Sequence, residues 1–405
     1  MPTLSFDALA PLGGTGGTGG TGGTGGTGGT GGTGGTGGTG GTGYAGYGST
    51  LVSSALITNR DGIVGSWRDL ADRQAAPKTR TENLALEKGS PPENLRNLER
   101  WEPWVRASIF DFEMFSRLGF TAGQRGSAGR MSVWHLEVTS NDGAPTAEYR
   151  PLVAFTRPTE AIFEAQLEYV NGYAELRVDR ASEILAELDT LAALFGSIAF
   201  LRPDRTPWTL ELLAAALRLA HFVELRLKHA LGCRRPVEYS PQLQPMILTP
   251  SHGSLPSGHA TEAFLLAFVL WNLLRDAGTK SYMEDNWGEQ LMRLASRIAV
   301  NRTVAGVHFP VDSAAGALLG LTLGNYLVSR CKGIAKYEAW EFNGKEYPDP
   351  KAVDGDFDWR ELYHLATQRQ TPTAYARSLE EQALDPAYQS DVLRYLWTKA
   401  QGEWT

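Results

Sequence analysis

Three short stretches of this sequence carry side chains able to grip an oxyanion and move protons around it. Lys228 is followed, after six residues, by Arg235-Pro236; Arg302 is followed, after five, by His308 and then, after three more, by Asp312. Between them lies Pro256-Ser257-Gly258-His259, just ahead of the apolar run Ala263 to Leu274. That tetrapeptide reads as the mouth of a buried helix, with Ser257 as N-cap and Pro256 blocking extension backwards. The first amides of such a helix lack internal partners and sit at the positive end of its dipole, which makes an anion site. Gly258 allows an oxyanion close to the backbone, and His259 stands where its ring exchanges a proton with that anion. Lys228, Arg235 and Arg302 supply three positive charges suited to a tetrahedral or trigonal-bipyramidal oxyanion. Asp312, four residues after His308, is placed to accept from its Nδ1 and fix the tautomer. His308 is then a nucleophile toward phosphorus, and His259 protonates the leaving group and later activates water.

The three stretches, in this order, resemble the type 2 phosphatidic acid phosphatase and vanadium haloperoxidase superfamily, over Lys228 to Asp312. The resemblance implies a phosphohistidine intermediate if the chain is a phosphatase, with no cofactor. In a haloperoxidase it implies vanadate ligated by His308 and a halide plus hydrogen peroxide as substrates. One position departs: Asn301 stands where the family usually has Ser, in the outer shell of the site. Only 19 residues separate Pro236 from Pro256 and 42 separate His259 from Arg302. This compactness favours the phosphatase, acting on a small-molecule phosphate ester. His252, seven residues before His259, and the long N-terminal helical region are haloperoxidase-like. A non-enzymatic anion-binding module is the third reading.

A mainly all-α fold follows, a helical bundle with the site at helix ends in its core and small irregular or β segments outside. Ile162, Phe163, Leu167 and Val170 recur at helical spacing after Thr159, and Ala181 to Phe195 repeats the pattern. Thr206 and Pro207 open a strong helix, Trp208 to Leu231, which stops at Gly232 and puts Lys228 in its last turn. Pro241, Pro245 and Pro250 make the return to Pro256 extended. Trp287 to Val304 is a further helix, broken by Gly306, and Pro310 starts another to about Cys331. Trp134 to Val138 suits a short strand. The aromatic-rich segment Trp101 to Phe120 suits core packing, with lining of the site entrance as the alternative. In the tail, Trp359 to Thr367 and Thr373 to Ala400 read as helical. The expected organisation is a tether (1–43), an N-terminal region packed on the bundle (44–157), the catalytic bundle (158–331) and a C-terminal extension (332–405).

The tether holds ten Gly-Gly-Thr copies, Gly13 to Thr42, which cannot bury enough to offset backbone entropy and suit a disordered spacer. A net charge of −7 argues against a nucleic-acid partner. The two cysteines, Cys233 and Cys331, make neither a disulfide scaffold nor a zinc pattern. No uninterrupted apolar run reaches membrane-span length and the first residues lack a signal-peptide pattern, so a soluble member of the family without a membrane span, in the cytoplasm, is expected. His135, His221, His229 and His364 read as structural.

Overall fold

The computed structural model describes residues 94–123, 129–139, 144–188, 191–348 and 355–405, with Ser54 and Thr58; the Gly-Gly-Thr segment lies outside them. The chain divides into a unit of Gly19–Arg106 and a unit of Met1–Thr18 with Ala107–Thr405. In the former, a 3-10 helix, Leu95–Arg100, is capped by the Asn94 side chain, and Arg106 Nη1 donates to the carbonyls of Leu98 and Trp101.

In the latter unit, the helices are mainly those the periodicity predicts. They are α1 (Pro103–Phe115, in this unit from Ala107 on), α2 (Glu160–Tyr173), α3 (Arg177–Ala186), α4 (Leu191–Ala199), α5 (Pro207–Leu231), α6 (Gly258–Asp276), α7 (Asp285–Val304), α8 (Pro310–Lys332) and α9 (Asp391–Gln401). The ends fall where the local chemistry puts them. The Thr159 side chain accepts from the Ile162 amide ahead of α2. Gly232 closes α5 in the left-handed conformation at φ 58°, which a glycine adopts without a Cβ penalty. The first turn of α5 is capped differently from expectation. The Thr206 hydroxyl accepts from the Arg202 amide instead, and the Glu403 carboxylate from the far end of the chain takes the Trp208 and Thr209 amides, both at 2.8 Å.

The α6–α8 contact fixes the centre of the bundle. A Cβ at Gly316 would stand 2.6 Å from the Ser257 carbonyl, and one at Gly320 would run into the Thr261 carbonyl. Glycine at these positions lets the two backbones touch, which sets the depth at which the α6 mouth sits. Among the described residues α8 is the one helix long and apolar enough to cross a membrane, and 94% of its apolar window is buried inside the protein.

A five-stranded sheet flanks the helices: β1 (Leu118–Ala122), β2 (Arg130–Thr139), β3 (Thr146–Thr156), β4 (Lys336–Asn343) and β5 (Ala376–Ala383), in that spatial order. Neighbours run antiparallel except β3 and β4, which are parallel. The sheet therefore joins chain from before the bundle to chain from after it. Three expectations need correction here. The Trp134–Val138 strand is longer, as β2. Thr373 to Ala400 is not one helix: Ala376–Ala383 pairs with β4 as a strand, Pro386–Tyr388 is a 3-10 turn, and Asp391–Gln401 is the α-helix. Trp359 to Thr367 is helical only over Trp359–Leu362. Of the aromatic segment, Phe110 is buried, and Phe115 stacks on Phe222 with ring centroids 4.4 Å apart. Phe112, Trp101 and Trp104 are exposed. The stretch from Val237 to Leu255 is not extended throughout, since Pro236–Tyr239 and Pro241–Leu243 form short helical turns. Cys233 and Cys331 are both buried and free.

Candidate active site

The end of α5, the mouth of α6 and the turn between α7 and α8 meet at a small cavity. Lys228, Arg235, Arg302, His259, His308 and His252 line it, with Gly258 beside them. Leu188, Ile247, Leu248, Pro250 and Val307 complete its lining with apolar side chains. Its volume is about 20 Å³, more than a single water molecule needs. The cations expected to converge do so, and Lys228, Arg235 and Arg302 are each exposed by 2% or less.

Each head group is held by a defined set of acceptors. Lys228 Nζ donates to the carbonyls of Gly253 (3.4 Å), Ser254 (3.2 Å) and Pro256 (2.5 Å). Burial first, then Arg235, lowers its pKa to about 8. Arg235 Nη1 donates to the Val307 carbonyl and to His308 Nε2, both at 2.8 Å, and Nη2 lies 3.1 Å from His252 Nδ1. Arg302 Nη2 pairs with the Glu187 carboxylate, while its Nε and Nη1 are buried without a hydrogen-bond partner. Buried guanidinium donors left unpaired are costly, and an oxyanion in the cavity is the natural acceptor.

His308 is oriented as the spacing predicts. Its Nδ1 donates to Asp312 Oδ2 at 3.1 Å, and the same oxygen accepts from the Phe309 amide at 3.0 Å. The Ser254 hydroxyl donates to Asp312 Oδ1. With Nδ1 protonated, the Nε2 lone pair is the one directed at Arg235 and the cavity. Burial, followed by Arg235 and Lys228, holds the His308 pKa well below 6.5, so the ring is neutral. Burial raises Asp312 to about 6 against the opposing Phe309 amide and Arg235. His259 also stays neutral through burial and then Arg302, and its Nε2–H donates to the Glu187 carbonyl at 3.2 Å. His252 is partly exposed, its pKa lowered to about 4 by burial and then by Lys228 and Arg235.

Ser257 and Asn301 stand off the cavity, the first as the expected cap and the second in the expected outer shell. Ser257 does not line the cavity. Its hydroxyl caps α6 by accepting from the Ala260 amide, and its own amide donates to the Asp312 carbonyl at 2.9 Å, tying α6 to α8. The amides free of intrahelical acceptors at the cavity are therefore those after it, beginning with Gly258. Asn301 stands behind the site, donating to Glu187 Oε1 at 2.6 Å and accepting from Arg180.

Glu187 is the residue sequence reasoning missed. The segment Ala181 to Phe195 looks like one helix, but α3 ends at Ala186, and a turn at Glu187 and Leu188 precedes α4. The turn buries Glu187 to 3% exposure and puts its carboxylate on Arg302 and Asn301 and its carbonyl on His259. Burial pushes its carboxyl above the usual range, opposed by Arg302. A sequence signal exists: Asp189-Thr190 ahead of Leu191 is a helix-start pattern inside the apparent helix.

Residues 209–332 match the PAP2 superfamily. This segment is a PAP2 superfamily domain. It contains every residue of the cavity's polar wall. Two curated relatives, from two strains of Mycobacterium tuberculosis, are each named decaprenylphosphoryl-5-phosphoribose phosphatase and are 31% identical over 134 residues, 33% of this chain. The match spans 66% of the length of each relative. Among solved structures, a transmembrane PAP2 type phosphatidylglycerolphosphate phosphatase from Bacillus subtilis aligns with 19% identity and a TM-score of 0.36. That alignment covers 44% of this chain and 89% of that one.

The contact of Glu187, which precedes the PAP2 domain, with Arg302 inside it makes a direct prediction. Glu187→Ala leaves a buried guanidinium uncompensated and lowers unfolding stability by about 3 kcal/mol, measured by urea denaturation. Saturating phosphate recovers part of that loss by taking the place of the carboxylate as a counter-charge. An unchanged midpoint contradicts the assigned pairing.

Proposed function

We propose that the chain is a phosphatase that cleaves phosphate monoesters through a phosphohistidine on His308. The observation that supports it most is the pairing of a neutral, Asp312-oriented His308 with unpartnered Arg302 donors across one cavity. The phosphatase names of the curated relatives agree with it. No cofactor is required, because the charge that develops on the phosphoryl oxygens is met by fixed cations and amides.

The phosphoryl group displaces internal contacts as it binds. Arg235 leaves His308 Nε2 and bonds the phosphoryl oxygens, which frees the Nε2 lone pair. Arg302 meets them with Nε and Nη1, and Lys228 contributes charge from its ring of carbonyls. His308 Nε2 attacks phosphorus, the P–O bond to the leaving group breaks, and His259 gives that oxygen a proton. Water then attacks the phosphohistidine, the P–N bond breaks, and His259 takes the proton back. The bound dianion raises the proton affinity of His259, opposing the burial and cations that keep it neutral in the free protein. Ile247, Leu248 and Pro250 would face the leaving group, and Leu248 is 73% exposed. An ester with an apolar leaving group fits that side.

An aryl phosphate assay tests this directly. One preparation is assayed with aryl phosphate and with bromide plus peroxide, each before and after adding vanadate. Phosphate release inhibited by vanadate is expected, and His308→Ala should lose at least about 10³-fold in kcat/KM. Full activity in that variant, or bromination of a phenol without any ester hydrolysis, overturns the assignment.

The pH profile supplies a second check. Below about 6, Asp312 takes up a proton and stops accepting from His308; above about 8, Lys228 loses its charge. The kcat/KM profile for the free enzyme should therefore be a bell with limbs near those values. A flat profile from about pH 5 to about 9 contradicts these roles.

A further inference from the structure

A second cluster lies one helical turn below the cavity, and the phosphatase chemistry uses none of it. His221 and Glu224 stand at i and i+3 on α5, so they share a face. Glu262 reaches the same point from α6. One ligand atom from each lies within 4.8 Å of the others. Glu224 and Glu262 are 0% exposed, and all four of their carboxylate oxygens, together with His221 Nδ1, are buried without a hydrogen-bond partner. Lys228, one turn from Glu224, attracts both carboxylates but does not hydrogen-bond them, because its ammonium donates to three carbonyls of the loop before α6.

Two buried carboxylates without partners demand compensation. Atoms within 4.8 Å of one another all stand within about 3 Å of a common point, so shifts of under about 1 Å bring them to the ligand distance of about 2 Å around one ion. An i,i+3 pair on one helix with a carboxylate from a facing helix is a common way to build a metal site in a bundle core.

We propose that His221, Glu224 and Glu262 bind one divalent first-row metal ion, zinc being the first choice for one imidazole and two carboxylates. The ion pins α5 to α6 beneath the cavity. It thereby fixes Lys228, one turn after Glu224, and His259, three residues before Glu262. Its role is positioning, and it does not touch the phosphoryl group.

The test uses the full chain produced with zinc chloride in the medium and dialysed against metal-free buffer, with a parallel arm using manganese chloride. Elemental analysis should find about one zinc per chain, and thermal melts should show a midpoint about 5 °C above that of chelator-treated protein. The double variant Glu224→Gln/Glu262→Gln keeps side-chain shape and removes both charges, so it should fold, retain less than about a tenth of the zinc, and lose the chelator response. Wild-type protein that retains neither metal overturns the proposal. So does a double variant that retains as much metal as wild type. Neither result depends on phosphatase activity.

Discussion

Burying three cations around one small cavity is the constraint to which the surrounding structure answers. Lys228, Arg235 and Arg302 are almost wholly removed from solvent, where like charges repel strongly and desolvation is expensive. Each is met by a different device. Lys228 is ringed by backbone carbonyls, Arg235 by carbonyls and two imidazoles, and Arg302 by Glu187 on one edge. The other edge of Arg302 is unmet, so the site holds an unsatisfied attraction for an anion. In the proposed function, binding a phosphoryl group and relieving that electrostatic cost are the same event.

The helices supply those devices through their ends. Lys228 lies in the last turn of α5, Gly258 and His259 open α6, Arg302 closes α7, and Asp312 sits in the first turn of α8. The Ser257 amide bonded to the Asp312 carbonyl locks the mouth of α6 to the start of α8. Close backbone approach at Gly316 and Gly320 holds the two helices in register. Positions set this way change little with side-chain motion, which suits groups that must stand ready before the substrate arrives.

Much of this was legible in the residues. The polar wall of the cavity is encoded by short, local spacings: the cap at Ser257, the stop at Gly232, the break at Gly306 and the i,i+4 pair His308–Asp312 need no distant information. The parts that were not legible depend on partners far along the chain. Ala376 to Ala383 has helix-compatible composition, and pairing with β4 makes it a strand. Glu403 caps a helix almost two hundred residues earlier, displacing the local candidate Thr206. Glu187 acquires its duty because a buried Arg302 needs a counter-charge, which is a property of the packed site. Glu224 and Glu262 stand far apart in the sequence, and only the crossing of α5 and α6 brings them together with His221.

A crystal structure with orthovanadate tests the central claim most directly. It should show one vanadate in the cavity, bonded to His308 Nε2, with its oxygens within about 3.2 Å of Arg235 and Arg302 nitrogens. The Arg235–His308 contact should be broken. Vanadate bound elsewhere, or an intact Arg235–His308 contact with vanadium more than about 4 Å from Nε2, would contradict a site built to take the phosphoryl group onto His308.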